Sequence, residues 1–176
     1  MTAALRSILL AGLLGHSSAF AEGYLGWSFG MSKAEVATVG DASRYYSFSN
    51  GDLGAQNEPF EGNGVPISFY FGNGKLNRVM LIPYMGNDLT KAREAWRLTY
   101  AHIKRKCTGV EVSEAGPGPV QLEAALAIFD VEASKLQQGQ RHQIGCLPMS
   151  SSWRLWASVT RLANDSLMVS VNYGEP

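Results

Sequence analysis

Histidine and cysteine, the side chains that most metal sites and nucleophilic sites need, are scarce here: 176 residues include three histidines and two cysteines. The sequence has no H-E-x-x-H helix and no glycine-rich phosphate loop. Neither sign of charge is in excess, because 15 lysines and arginines balance 15 aspartates and glutamates. A nearly neutral chain has no global electrostatic footprint for nucleic acid or for an anionic membrane. These absences predict no cofactor and no nucleic-acid partner, and they favour a binding protein over an enzyme.

Long apolar runs are also missing, except at the amino terminus. Arg6 precedes an apolar run from Ile8 to Leu14, and Ala19-Phe20-Ala21 follows as a small-x-small cleavage pattern. That run is too short to span about 30 Å of hydrocarbon, and no cysteine lies near the cut to carry a lipid anchor. We therefore predict that residues 1–21 are a cleaved signal peptide and that residues 22–176 form a single periplasmic or secreted domain.

Both cysteines, Cys107 and Cys146, lie in the part of the chain that would be exported. An even number of cysteines in an oxidising compartment predicts a disulfide between them. The alternative is a zinc site, since His102 and His142 precede these cysteines as His-x4-Cys and His-x3-Cys. Those spacings are outside the usual finger signatures, so we predict the disulfide and no metal.

The longest amphipathic pattern in the chain runs from Asn87 to Cys107. Its apolar residues recur at helical spacing and form one stripe: Leu89, Ala92, Trp96, Tyr100, Ile103 and Cys107. Such a stripe must be covered, and the strand-rich segments on either side are its natural cover. A second helix is predicted from Pro119 to Gln138, because proline suits the first helical position and Gly139 suits the stop.

Two β-hairpins flank these helices. The first spans Ile67 to Ile82 around the turn Gly72-Asn73-Gly74, and the second spans Trp153 to Tyr173. Between the amino-terminal segment and the first hairpin, Ser49 to Pro66 is rich in glycine, asparagine and acidic residues, which predicts a solvated surface loop. The predicted fold class is α+β: an antiparallel sheet of hairpins with helices packed on one face.

In both hairpins the alternation leaves one aromatic residue on the polar face. Tyr70 lies with Ser68, and Trp156 lies with Arg154, away from the aliphatic side chains. Aromatic side chains with polar neighbours are typical anchors of protein interfaces. We therefore predict that Tyr70 and Trp156 bind a protein partner, with the alternative that a loop or the second helix covers Trp156.

A basic edge of the long helix supplements this site. Arg93, Arg97 and Lys104 fall along one side of the helical wheel and would orient a partner through charge. The competing interpretation is an ordinary solvated face, because cations near a helix carboxyl end are favoured by the helix dipole.

An enzymatic alternative rests on few residues. A small periplasmic hydrolase would need His142, or the hydroxyls of Ser150 to Ser152 with a histidine as base. In that case His142→Ala would abolish activity, whereas a binding protein would tolerate the change outside its footprint.

The segment Gly30-Met31-Ser32-Lys33-Ala34-Glu35-Val36 carries a capping box, with Ser32 as N-cap and Glu35 three residues later. It resembles the G-M-[ST]-x-x-E-V helix start of small exported proteins of the BamE/SmpA-like and β-lactamase-inhibitor-protein-like group. The resemblance extends at most from Trp27 to Ile82. It implies helices on one face of a small antiparallel sheet, and a non-enzymatic periplasmic scaffold or inhibitor that works through its sheet face and loops.

Overall fold

The structure is a computed structural model that describes residues 23–116, 118–147 and 154–174. The predicted signal peptide and the Ser150–Ser152 run lie outside the described residues. The strands are β1 Tyr45–Ser47, β2 Leu53–Phe60, β3 Asn63–Gly72, β4 Lys75–Gly86, β5 Gly109–Val112, β6 Arg141–Leu147, β7 Arg154–Arg161 and β8 Leu167–Gly174. The α-helices are α1 Lys33–Val36, α2 Leu89–Lys106 and α3 Leu122–Lys135, with 3-10 turns at Ala42–Arg44 and Ser113–Ala115.

All eight of these strands join one antiparallel sheet in the order β1-β2-β3-β4-β8-β7-β6-β5. The sheet is not closed, and strand makes up 43% of the described chain against 29% for helix. The predicted α+β class, an antiparallel sheet of hairpins with helices packed on one face, is therefore wrong. The molecule is organised around a single broad sheet, to which the few helices are added.

The error arose in segments whose apolar alternation is weak. The predicted loop at residues 49–66 contains β2 and the start of β3, and residues 109–112 and 141–147 form the strands β5 and β6. In β2 the alternation is broken by a register shift between Ala55 and Glu58, where Asn57 has a positive φ of 60°. A bulge of this kind hides a strand from any period-two pattern.

The two predicted hairpins are present. Strands β3 and β4 pair around Asn73 and Gly74, whose φ angles of 51° and 74° fit a type I′ turn. Strands β7 and β8 form the second hairpin, in which Ala157 pairs with Val171. The two hairpins meet where β4 pairs with β8, for example at Leu81 and Val171. The centre of the sheet is therefore built from the strongest β-patterns in the sequence.

Helix α2 lies against the sheet with the predicted stripe inward. Trp96 and Ile103 are fully buried, whereas Leu89 is 43% exposed and does not belong to the buried face. Helix α3 begins at Leu122 rather than Pro119 and packs on α2, with the ring centroids of Trp96 and Phe129 5.6 Å apart. None of the helices in the described ranges is long and apolar enough to cross a membrane.

Candidate partner-binding face

The two faces of the sheet differ in whether helix α2 packs against them. We call the face toward α2 the inner face: Trp96 of α2 packs on His142 of β6, and His102 of α2 bonds to Tyr173 of β8. The alternation of side chains along each strand puts the neighbours of His142 and Tyr173 on the opposite side. We call that side the outer face.

A row of outer-face positions crosses the sheet from edge to edge. Neighbouring members are paired in register, and the row reads Tyr46, Gly54, Ser68, Met80, Asn172, Trp156, Gly145 and Glu111. Small or polar side chains dominate it, so the aromatic ring of Trp156 is its largest feature on the β7 side. Trp156 is therefore on the side of the sheet away from α2, as predicted; there Ser68 and Asn172 are buried while the indole keeps part of its surface exposed.

Trp156 is half-buried, and neither predicted cover lies over it. Residues 53–60 of the predicted loop are strand β2 in the sheet, and α3 packs on α2 at the inner face. A Cβ placed on Gly174 would lie 3.0 Å from Cη2 of Trp156, so the indole lies across the backbone of β8. Glycine at this position lets the large ring lie flat on the sheet.

A cleft of about 680 Å³ opens beside the indole, and we call it the outer cleft. Four strands contribute charged and polar side chains to its lining, and the 3-10 turn adds Ser113: the lining includes Arg78, Glu111, Arg141, Gln143, Arg154 and Trp156. A cavity of this size is in the range that accommodates a small ligand or a short segment of a larger one.

Tyr70 acts on the outer cleft indirectly. The guanidinium carbon of Arg78 lies 3.8 Å from the centroid of the Tyr70 ring, a close cation–π contact. The Nε of Arg78 is buried and has no hydrogen-bond partner among the described residues. Tyr70 therefore holds in place an arginine that lines the cleft, in addition to exposing part of its own ring.

The basic edge of α2 is not part of this face. Arg93 pairs with Asp130 of α3, with Nε and Oδ1 2.8 Å apart, and Arg97 pairs with Glu94 at 2.6 Å. Lys104 is exposed on the same helix. Since α2 lies on the inner face, the structure does not bring Arg93, Arg97 and Lys104 together with Tyr70 and Trp156.

The predicted disulfide is confirmed. Cys107 and Cys146 are bonded with their Cα atoms 5.5 Å apart, and they tie the carboxyl end of α2 to β6. The bond uses the two thiols that the zinc alternative required. It also fixes β6, which contributes Arg141 and Gln143 to the outer cleft.

His142, the base of the enzymatic alternative, lies on the inner face. It is 1% exposed, and its Nδ1 is 2.6 Å from Oε2 of Glu114. Its ring centroid is 5.4 Å from that of Trp96. An imidazole enclosed between a helix and the sheet does not meet substrate at the surface, so this position gives the hydrolase alternative no support.

A buried hydrogen-bond cluster joins α2 to the turn between β2 and β3. His102 is 2.7 Å from Glu61 through Nδ1 and accepts a hydrogen bond from the Tyr173 hydroxyl at Nε2, while Arg105 also donates to Glu61. Burial lowers the pKa of His102, and it raises the pKa of Tyr173. Burial would also raise the pKa of Glu61, but the hydrogen bonds from His102 and Arg105 outweigh it and lower that pKa. The cluster fastens the helix to the sheet.

One motif is easily overlooked, because residues 26–30 read Gly-Trp-Ser-Phe-Gly and match the G-x-S-x-G pattern letter by letter. That pattern marks a nucleophile only where a strand turns sharply into a helix. Here Tyr24 and Trp27 close a tight turn, and the Ser28 amide donates to Sδ of Met31. The segment is a turn against the core rather than a nucleophile elbow.

The residues that sequence reasoning missed are Arg78, Glu111 and Arg141. Glu111 belongs to the short strand β5 and Arg141 to β6, whose sequence carries few apolar residues, and Arg78 only interrupts an apolar run. The one sequence signal for a charged site here was the alternation that puts Arg154 and Trp156 on the same face of one strand. Which other arginines face that position depends on strand order, and a sequence does not state strand order.

No family model, curated protein or solved structure matches this chain. The resemblance of residues 30–36 to the BamE/SmpA-like group therefore stays a prediction. Its local element is confirmed, since Ser32 caps α1 and Glu35 completes the capping box.

Proposed function

We propose that this protein is a non-enzymatic binding protein, a scaffold or inhibitor, that captures a protein partner on the outer face of its sheet. The observation that carries the proposal is the half-buried indole of Trp156 beside the outer cleft, on a face that the described helices leave uncovered. Tryptophan and arginine are the side chains that dominate binding energy in protein interfaces. Both occur together here.

The proposed site of action is the periplasm or the cell exterior. The Cys107–Cys146 disulfide supports it, because such bonds persist in oxidising compartments. The leader-like pattern of residues 1–21 supports it independently.

Trp156→Ala is expected to weaken capture of the partner while the protein stays folded. Loss of a central aromatic anchor costs about 2 kcal/mol, which is roughly a thirty-fold rise in Kd. The measurement is affinity capture from an extract of exported proteins, followed by a binding isotherm for any stoichiometric partner.

The matched control is Val131→Ala, which removes exposed apolar surface from α3 on the helical side of the molecule. It is expected to bind like the native chain. Circular dichroism and a urea midpoint establish that both variants are folded. Equal capture by Trp156→Ala and Val131→Ala would contradict the proposed function.

A further inference from the structure

The arginines of the described chain fall into two groups. Arg44, Arg93, Arg97 and Arg105 each contact a carboxylate, and Arg161 donates to backbone carbonyls. The other three are Arg78, Arg141 and Arg154, and none of them has an ion-pair or hydrogen-bond partner among the described residues. All three line the outer cleft. Cationic side chains without acceptors therefore converge on one cavity.

Two of these arginines flank the same glycine. Arg78 of β4 and Arg154 of β7 both pair in register with Gly174 of β8. Adjacent strands are about 4.8 Å apart, so the two arginines lie on either side of β8. The indole of Trp156 covers the glycine between them, since a Cβ built on Gly174 would lie 3.0 Å from its Cη2 atom. An anionic group in the cleft beside the indole is close to the guanidinium groups of the lining. Arginine binds such oxygens through paired N–H donors.

The indole of Trp156 borders this position. Its Cη2 and Cζ3 atoms are the nearest heavy atoms to a Cβ built on Gly174, at 3.0 and 3.2 Å. Because Trp156 also lines the cleft, a ligand bound by the arginines there contacts the aromatic ring as well. The Nε of Arg78 is buried and lacks an acceptor among the described residues, and the Arg78 side chain lines the cleft.

The cleft lining also contains one carboxylate. Glu111 lies there, with Oε1 3.5 Å from a Cβ built on Gly145, and Gln143 is its neighbour in the lining. A carboxylate accepts hydrogen bonds, so an occupant that also supplies N–H donors suits the cleft better than one with anionic groups alone. A peptide has both features that the cleft requires: acidic side chains for the arginines and backbone N–H groups for Glu111.

We infer that the outer cleft binds an acidic segment of the protein partner, whose carboxylates are held by the unpaired arginines of the lining, Arg78, Arg141 and Arg154. This inference rests on the proposed function and names the chemistry of the partner. The volume of about 680 Å³ suits a few residues of such a segment.

The test uses a capped hexaglutamate peptide as probe and a capped hexaglutamine peptide as its uncharged counterpart. Binding is followed through the indole N–H signal of Trp156 in ¹⁵N-NMR spectra, assigned with Trp156→Phe. Hexaglutamate is expected to shift this signal in a saturable way, with a Kd that rises with salt. Hexaglutamine is expected to leave it unchanged. Equal shifts with both peptides would overturn the inference.

Arg78→Gln and Arg154→Gln are each expected to raise the Kd for hexaglutamate at least ten-fold. The matched control is Arg97→Gln, which removes the same charge from α2 on the inner side. It is expected to change the Kd less than two-fold. Arg154 is exposed, so its variant keeps the test valid even if Arg78→Gln disturbs the packing on Tyr70. An equal effect of Arg97→Gln would mean non-specific attraction and would overturn the inference.

Inorganic phosphate is titrated in parallel. Saturation by phosphate at concentrations well below those of hexaglutamate would assign the cleft to a phosphate group and overturn the peptide inference.

Partner capture separates the proposed function from the acidic-segment inference. If Trp156→Ala loses the partner but Arg154→Gln retains it, the proposed function stands and the acidic segment is excluded. If neither variant affects capture, the proposed function fails.

Discussion

Replacing Cys107 and Cys146 together by alanine is expected to lower the free energy of unfolding by about 3 to 4 kcal/mol. The two cysteines are separated by 39 positions in the sequence. In the chain-entropy account, closing a loop of that length removes conformations from the unfolded chain and so favours the folded state. Urea unfolding of the oxidised native chain and of the double variant measures the difference.

Reduction provides the internal control for this experiment. A reducing agent is expected to lower the stability of the native protein to that of the double variant and to leave the variant unchanged. A difference below about 1 kcal/mol between native and double-variant proteins would contradict the role given to the bond. Because β6 carries Arg141 and Gln143, the variant is also expected to loosen the outer cleft.

Arg44→Ala is expected to destabilise the protein by about 3 kcal/mol at neutral pH, because it leaves the carboxylate of Glu58 buried without its partner. Glu58 is 2% exposed and forms an ion pair with Arg44. The Arg44 side chain is 30% exposed, which places the effect at the lower end for a broken buried pair. Its guanidinium carbon also lies 5.5 Å from the Trp27 ring centroid, so some packing is lost as well.

The pH dependence of this loss has a definite sign. Burial raises the pKa of Glu58 against the opposing effect of Arg44, and removing Arg44 raises that pKa further. A carboxyl group with a raised pKa binds its proton more tightly in the folded state, so the penalty grows as pH rises above the unfolded pKa. The deficit of Arg44→Ala is therefore expected to shrink on acidification.

The double variant Arg44→Ala, Glu58→Gln serves as the control for charge. A neutral amide removes the uncompensated charge, so this variant is expected to recover stability relative to Arg44→Ala and to lose the pH-dependent part of the deficit. A deficit that stays the same at all pH values and in the double variant would assign the effect to packing on Trp27 instead.

Strong local patterns in the sequence predicted their elements correctly. The alternation from Ile67 to Ile82 marks β3 and β4, the stripe of α2 is buried at Trp96 and Ile103, and the Ser32 cap starts α1. Each of these features depends on residues close to one another in the chain. Local geometry determines such elements, so a single sequence is enough to find them.

The breadth of the sheet could not be predicted in the same way. Strands β5 and β6 are short or weakly alternating and exist because β7 offers a paired edge for β6. Strand β2 contains a buried glutamate, Glu58, whose charge is paired with Arg44 from a segment distant in the sequence. These strands depend on partners distant in sequence, and tertiary context overrides local preference in such cases.

Local sequence patterns predict only part of the candidate site, and the rest depends on strand pairing. Alternation within β7 is local, and it placed Trp156 on the face away from the aliphatic residues. The convergence of Arg78, Arg141 and Arg154 needs the pairing of β4 with β8 and of β6 with β7, which no local pattern contains. The basic edge of α2 was predicted from a helical wheel alone, and a wheel does not say which sheet face the helix covers.

The most direct test of the proposed binding face is a carbene footprint of the protein with and without its captured partner. In the free protein, the half-buried Trp156 and the exposed Arg154, Val131 and Leu89 are all expected to be labelled. In the complex, labelling of Trp156 and Arg154 is expected to fall several-fold, while labelling of Val131 and Leu89 on the helices stays constant. Protection of the helices with unchanged labelling at Trp156 would place the partner on the other side of the molecule and contradict the proposed function.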